Sequence, residues 1–309
     1  MLVVNYTDNY NYNVGLLGRL HPFDMKKFRK VFESISNKSG ILITSPDGQI
    51  DNEAIRASLN AVGRGMVGNL RFVSAGLEVP VLPFVSLEFI DKRVLTPMRW
   101  GVAGTLKSAR EALSSRLRWN LSGGFHHASR QMLQGFCIYN DIAITYEAMI
   151  ASGELAPDDK ILIVDTDAHH GNGNADYFLN NSSVVICDVY NGRIYPRDNE
   201  TRDRVDYPVS LSPGTTGDEY LSRLDEVLSR LPDGFKLAFV VAGTDVLASD
   251  RLGGLALEPK HIPLRERMTV AALLDKAEGV VMTTGGGYSP ESAPAIAEAI
   301  LACRDLVPS

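Results

Sequence analysis

The second half of the chain alternates short, continuously apolar runs with amphipathic stretches, the pattern of a parallel sheet covered by helices. The runs are Ile161–Asp165 (ILIVD), Val184–Asp188 (VVICD), Leu237–Ala242 (LAFVVA) and Val280–Thr284 (VVMTT), and each predicts a strand. Helices are predicted near Thr105–Leu117, Phe136–Ala151, Asp218–Arg230 and Ser289–Cys303. Gly123-Gly124, Pro213-Gly214, Gly253-Gly254 and Gly285-Gly286-Gly287 punctuate the loops. The first hundred residues carry a weaker pattern. Val79–Leu87 (VPVLPFVSL) is extended in character, but Pro80 and Pro83 argue against a central strand. No repeat, low-complexity tract or linker divides the 309 residues. The expected fold class is therefore α/β, one domain of three α/β/α layers about a central, mostly parallel sheet.

Composition narrows the function classes. Hydrophobic residues at 45% and charged residues at 22% suit a globular protein with a large core. A net charge of −6 with no basic stripe argues against direct nucleic-acid binding and mildly favours a cationic substrate. Cys137, Cys187 and Cys303 are scattered, which predicts reduced thiols in a cytoplasmic compartment. The opening MLVVNYTDNYNYN lacks a basic segment followed by a long apolar one, and no apolar run reaches the ~20 residues of a membrane span. A soluble, unexported protein is the expectation.

In open parallel sheets, ligands bind beyond the carboxyl ends of the strands, and the polar residues of interest sit there. ILIVD runs into Thr166-Asp167-Ala168-His169-His170-Gly171-Asn172, LAFVVA into Gly243-Thr244-Asp245, and VVMTT into Gly285-Gly286-Gly287-Tyr288. A period of two sets Asp165, Asp167 and His169 on one side, and carboxylate oxygen and imidazole nitrogen are natural zinc ligands. Alone, D-x-H equally finishes a strand or caps a helix. With Asp245 it offers three ligands and an open fourth position. His126 and His127, on a glycine loop, suit proton transfer near neutral pH; alone they also suit an exposed pair or a core histidine. Tyr288 can donate to an oxyanion, whereas a phosphate cradle is discounted because no P-loop lysine follows the glycines.

These motifs resemble the histone deacetylase family in their order along nearly the whole chain. They are SGGFHHAS (Ser122–Ser129), GFCIYNDIAI (Gly135–Ile144), DTDAHHGNG (Asp165–Gly173), AGTDVLASDRLGGL (Ala242–Leu255) and GGGYS (Gly285–Ser289). HPFD (His21–Asp24), TPMRWGVAGT (Thr96–Thr105), DVYNGRIYP (Asp188–Pro196) and the DRLGGL run (Asp250–Leu255) look closest to the class IV branch. The resemblance implies zinc-dependent hydrolysis of acyl-lysine. Asp167, His169 and Asp245 would bind one zinc ion, and His127 would act as general base and then acid. His126 would be its electrostatic companion, oriented by Asp165, and Tyr288 would stabilise the oxyanion. Gly135 and Phe136 would form one wall of the acyl-lysine tunnel, with Tyr195 facing them. A structural potassium ion is implied near the Asp165–His169 loop.

The sequence departs from the family pattern at two places. The residue that orients His127 is an aspartate in many relatives and here is Asn172, which holds a ring without stabilising its cation. No H-x-x-Y element stands near Ser58-Leu59-Asn60, so no role tied to it is carried over. His21 is expected to pack or cap locally, His170 to buttress the ligand loop, His261 to lie on the surface, and Lys26, Lys27, Arg29 and Lys30 to form a solvated helix face. Cys137 has no partner that would make it a nucleophile.

Rival expectations are a long-chain fatty-acyl-lysine deacylase, an amidohydrolase for polyamines or small molecules, and a silent acyl-lysine binder. Iron(II) or cobalt could replace zinc. A two-manganese arginase-type centre is disfavoured because Gly171 stands where the extra acid would fall.

Overall fold

The structure, a computed structural model, describes residues 1–83 and 85–306. One sheet holds eight strands: β1 (Leu2–Asn5), β2 (Ile41–Thr44), β3 (Leu117–Asn120), β4 (Ile161–Asp165), β5 (Val184–Asn191), β6 (Tyr207–Leu211), β7 (Phe235–Ala242) and β8 (Ala277–Thr284). Their order is β2-β1-β3-β8-β7-β4-β5-β6 and every pairing is parallel.

Alternation explains why the central strands are apolar throughout. Ile161, Ile163, Leu237, Phe239 and Val241 face a layer containing helices Thr96–Ser115 and Asp141–Ala151. Leu162, Val164, Ala238 and Val240 face the other layer, with helices Lys27–Ile35, Gly217–Arg230, His261–Lys276 and Ser292–Cys303. Burying each large side chain contributes roughly 1.5–3 kcal/mol, so both faces need a cover. A third apolar cluster, including Ile55, Val73, Leu77, Ile90 and Met98, draws short helices of residues 52–90 over the sheet's carboxyl edge.

All four predicted strands are present, and β5, β7 and β8 run longer than predicted. The helix predicted at Thr105–Leu117 spans Thr96–Ser115, and Leu117 opens β3 instead. The helix predicted from Phe136 begins at Asp141, where Asn140 caps it by accepting from the Ala143 amide at 2.8 Å. The helices predicted near Asp218–Arg230 and Ser289–Cys303 span Gly217–Arg230 and Ser292–Cys303. Within Val79–Leu87, no described residue belongs to a strand and Phe84 lies outside the described residues. Among the described residues no helix is long and apolar enough to cross a membrane.

Candidate active site

Four neighbouring strands, β3, β8, β7 and β4, deliver the polar motifs to one rim. After β3, the Gly123-Gly124 turn is held by the buried Asp141, which accepts from the Gly124 amide at 3.1 Å and the Phe125 amide at 2.8 Å. His126 and His127 follow, both buried, with ring centres 4.1 Å apart. After β4 and β7, Asp167, His169 and Asp245 each offer a ligand atom within 4.8 Å of the others. Nδ1 of His169 lies 2.7 Å from Oδ2 of Asp245 and 3.0 Å from Oδ1 of Asp167. Backbone amides orient both carboxylates, Gly286 to Asp167 at 2.6 Å and Ala168 to Asp245 at 2.9 Å. A Cβ at Gly286 would fall 2.6 Å from Asp167 Oδ2 and 2.7 Å from Asp245 Oδ2, so only glycine leaves this space free. Two carboxylates and one imidazole converging in a buried site fit a divalent ion of the zinc class.

The two histidines differ in what stands behind them. Nδ1 of His126 is 2.7 Å from Asp165 Oδ2, and Nδ1 of His127 is 2.8 Å from Asn172 Oδ1. Burial opposes the charged form of His126, but the Asp165 and Asp167 charges outweigh it and lift the ring to about 9. Burial and the His126 and His169 charges push His127 well below the ordinary imidazole range. At neutral pH one ring is therefore cationic and its neighbour is a free base. Burial raises the Tyr288 hydroxyl, and the Asp167 and Asp245 charges add to it, so the phenol keeps its proton and can donate.

These groups open into a cavity of about 650 Å³ with mostly apolar walls. Gly135, Phe136, Tyr195 and Tyr288 line it. Gly135, at φ +56°, lies against His127, and a Cβ there would meet the ring at 2.2 Å. Phe136 is itself at φ +65° and presents its ring 5.8 Å from that of Tyr288. The Tyr195 ring stands 5.3 Å from His127, and its hydroxyl donates to Gln134 Oε1 at 2.9 Å. His21 accepts from the Phe23 amide at 3.1 Å, a local cap, and also packs on Phe136 at 4.4 Å.

Two surface expectations are corrected. Lys26, Arg29 and Lys30 are exposed, but Lys27 is 1% exposed. Its Nζ donates to the Gly285 carbonyl at 3.0 Å beneath the Tyr288 loop and lies 4.7 Å from the centre of the Phe23 ring. Burial brings its ammonium down to about 8, against the pull of Asp167, Asp245 and Asp250. His261 is buried and accepts from the Glu258 amide at 2.9 Å, because it opens a helix whose first turn packs against Gly217. His170 does buttress the loop, with Nδ1 2.6 Å from Asp188 and Nε2 3.0 Å from Thr201. Cys137 is buried, and burial raises its thiol, which leaves it a poor nucleophile.

Sequence reasoning missed three supports besides Lys27. They are Asp141; Asp250, which accepts from the Tyr288 amide at 2.7 Å; and Arg265, wholly buried behind the ligand loops. Arg265 donates to the Thr166 carbonyl at 3.0 Å and the Gly243 carbonyl at 2.6 Å, and pairs with Glu266. Asp250 lies inside a quoted motif and could have been flagged. Nothing local distinguishes Arg265 from an exposed helical arginine.

Residues 81–304 match the histone deacetylase domain family. Histone deacetylase 2 from Arabidopsis thaliana is 32% identical over 308 residues, covering 96% of this chain and 76% of that protein. Among solved structures, the HDA15 HD domain superposes with a TM-score of 0.73 at 20% identity, covering 98% of this chain and 90% of that one. Acetylpolyamine aminohydrolase from Burkholderia pseudomallei superposes with a TM-score of 0.72 at 17% identity, covering 97% and 98%. Both superpositions carry the same architecture at identities that speak for fold alone. With its ordered motifs on one rim, a domain-family match over most of its length and a 32% identical relative along 96% of it, the chain belongs to the histone deacetylase family.

Proposed function

We propose that this protein hydrolyses the amide bond of an acylated amine, acyl-lysine foremost, at a zinc site formed by Asp167, His169 and Asp245. When bound, the ion supplies a Lewis acid for the scissile carbonyl and the attacking water. His127, neutral because of burial and its charged neighbours, takes the proton from water as the new C–O bond forms. It then returns that proton to the amine nitrogen as the C–N bond breaks, releasing a carboxylic acid and the free amine. His126 stays cationic beside the developing negative charge. Tyr288 donates its hydroxyl proton in a hydrogen bond to the oxyanion. The observation that carries this proposal is the buried His126–His127 pair, one ring backed by Asp165 and the other by Asn172, next to the Asp-His-Asp cluster.

Replacing Tyr288 with phenylalanine removes one donor and should lower kcat by about 10²–10³ with zinc content unchanged. An unchanged kcat would remove Tyr288 from the oxyanion role, and a wild-type protein that binds acyl-lysine with no turnover would favour the silent binder.

The cavity supports a finer reading of acyl length. Its volume of about 650 Å³ and apolar walls of Val85, Phe89, Val94 and Met98 exceed what a two-carbon acyl group occupies. Long-chain acyl-lysine is therefore the favoured substrate over acetyl-lysine, in keeping with the class IV-like HPFD and DRLGGL segments. Turnover across acetyl, myristoyl and acetylpolyamine substrates tests it, and faster acetyl hydrolysis would reverse the assignment. For potassium, Asp188, which is paired in register with Asp165, has a buried Oδ1 with no partner among the described residues. That free oxygen fits a structural cation beside the Asp165–His169 loop.

A further inference from the structure

Helix Leu87–Ile90, the turn Asp91–Leu95 and helix Thr96–Ser115 follow one another without a break. The middle stretch is a π turn, in which the Thr96 amide donates to the Asp91 carbonyl, five residues back. The sequence accounts for it. Pro97 has no N–H to offer the Arg93 carbonyl, its partner in a regular α-helix, and that carbonyl accepts from the Asn13 amide at 3.5 Å instead. Arg93 returns a bond from Nη1 to the Asn13 carbonyl at 3.2 Å. Arg99 holds the turn from its far end, donating to both carboxylate oxygens of Asp91 at 2.7 and 3.0 Å and to the Thr96 hydroxyl at 2.7 Å.

The π turn changes which side chains share a face. At about 100° per residue, Phe89 and Met98 stand about half a turn apart on an unbroken α-helix, and the row Ile90, Val94, Met98 drifts round by about 80°. One more residue in the turn takes back about 100°. Ile90, Val94 and Met98 then form a nearly straight row, and Phe89 swings in beside it. All four side chains line the substrate cavity. Ile90 and Met98 are buried in one apolar cluster with Phe125 and Cys137, which ties the row to the loops that carry His126 and Phe136.

We propose that the π turn Asp91–Leu95 builds the stop of the acyl chain, with Val94, at the centre of the row, as the specificity-determining residue that sets the longest chain accepted. This rests on the reading that a long acyl group occupies the cavity, and adds what ends it. Each methylene buried against the row strengthens binding until a side chain stands in its path. The row is hydrocarbon throughout, so the chain it stops is hydrocarbon to its tip, and an acyl group ending in a carboxylate would bury a charge there.

The experiment uses the zinc-loaded full chain and its Val94→Phe and Val94→Ala variants, with lysine peptides carrying acetyl, decanoyl, myristoyl or palmitoyl groups. Hydrolysis is read as kcat/KM. Binding is read by fluorescence anisotropy on the matching ketones, in which a CH2 replaces the amide nitrogen and no hydrolysis occurs. Both are compared as ratios between chain lengths within one protein, so that a difference in folded fraction cancels. Val94→Phe should lower the myristoyl-to-decanoyl ratio by about tenfold or more, each displaced methylene carrying a factor of about four. Val94→Ala should raise the palmitoyl-to-myristoyl ratio by about fourfold, and it carries the test if the larger substitution does not fold. A wild-type preference for myristoyl with ratios unchanged in the folded variants overturns the stop and leaves the long-chain reading standing. A wild-type preference for acetyl in both readouts overturns the two together. Length-selective ketone binding that follows the substitutions, without hydrolysis of any peptide, supports the stop and overturns the hydrolase reading.

Discussion

His126 and His127 share a loop and a ring type, yet one has a carboxylate behind it and the other an amide. A carboxylate favours the imidazolium by Coulomb attraction; an amide oxygen orients the ring and adds little charge stabilisation. Asn172→Asp would bring an anionic oxygen to the same 2.8 Å from His127 Nδ1 and raise that ring by ~1–2 pH units. Because His127 acts first as a neutral base, the acidic limb of the kcat/KM profile should move to higher pH by a similar amount. A profile that stays in place would remove His127 from the role of base. Asn172 could be read from the sequence because its motif is contiguous. Lys27 could not: the other basic residues of its run, Lys26, Arg29 and Lys30, are exposed, and its ammonium donates to a carbonyl 258 positions away. A charge run describes a helix face only until one member turns inward.

At the scale of elements, legibility followed length and the clarity of breakers. Strands β4, β5, β7 and β8 announced themselves by apolar runs, whereas β1, β2 and β3 have four residues each, β1 and β2 with three apolar residues apiece and β3 with apolar and polar residues mixed. The helix Thr96–Ser115 was read short because Pro97, Gly101 and Gly104 resemble breakers. Pro97 follows directly on the π-helical turn Asp91–Leu95, in which the Thr96 amide donates to the Asp91 carbonyl, so the helix runs through the proline rather than ending at it. Gly101 lets Ser122 approach, since a Cβ there would sit 2.4 Å from its hydroxyl. The ligand-bearing tips of β4 and β7 are joined by a third element, helix His261–Lys276, through Arg265. Arg265→Met leaves the metal ligands in place but frees both loop carbonyls from their shared donor. Zinc affinity, read by chelator competition, should fall by about 10–100-fold, the usual effect of losing a support behind ligands. An unchanged affinity in a folded variant, checked by circular dichroism, would reduce Arg265 to core packing.

For the molecule as a whole, the order of motifs forecast a parallel α/β architecture and the rim on which the site lies. The short helices of residues 52–90 that roof the cavity were not forecast, because their contacts come from distant apolar residues such as Leu133 and Ile138. What they enclose links metal, proton and stability. Burial and the Asp167 charge raise the Asp245 carboxyl from 3.8 to about 7. Between those values the folded chain binds this proton more tightly than the unfolded chain does. Its contribution is therefore present at low pH and fades as pH rises through about 7. His169 is also raised, by its bonds to Asp167 and Asp245 outweighing burial, and its contribution has the same sign. Zinc must displace both protons, so it competes poorly in acid and well in base. Thermal melts with and without zinc should thus diverge as pH rises from 5.5 to 8. At a hundredfold excess over Kd, the ion should contribute about 2.7 kcal/mol, and each tenfold loss of affinity in acid should remove about 1.4 kcal/mol. Zinc-dependent shifts in Tm that are equal at both ends of that range would mean that the ion does not replace these protons, and hence does not sit among Asp167, His169 and Asp245.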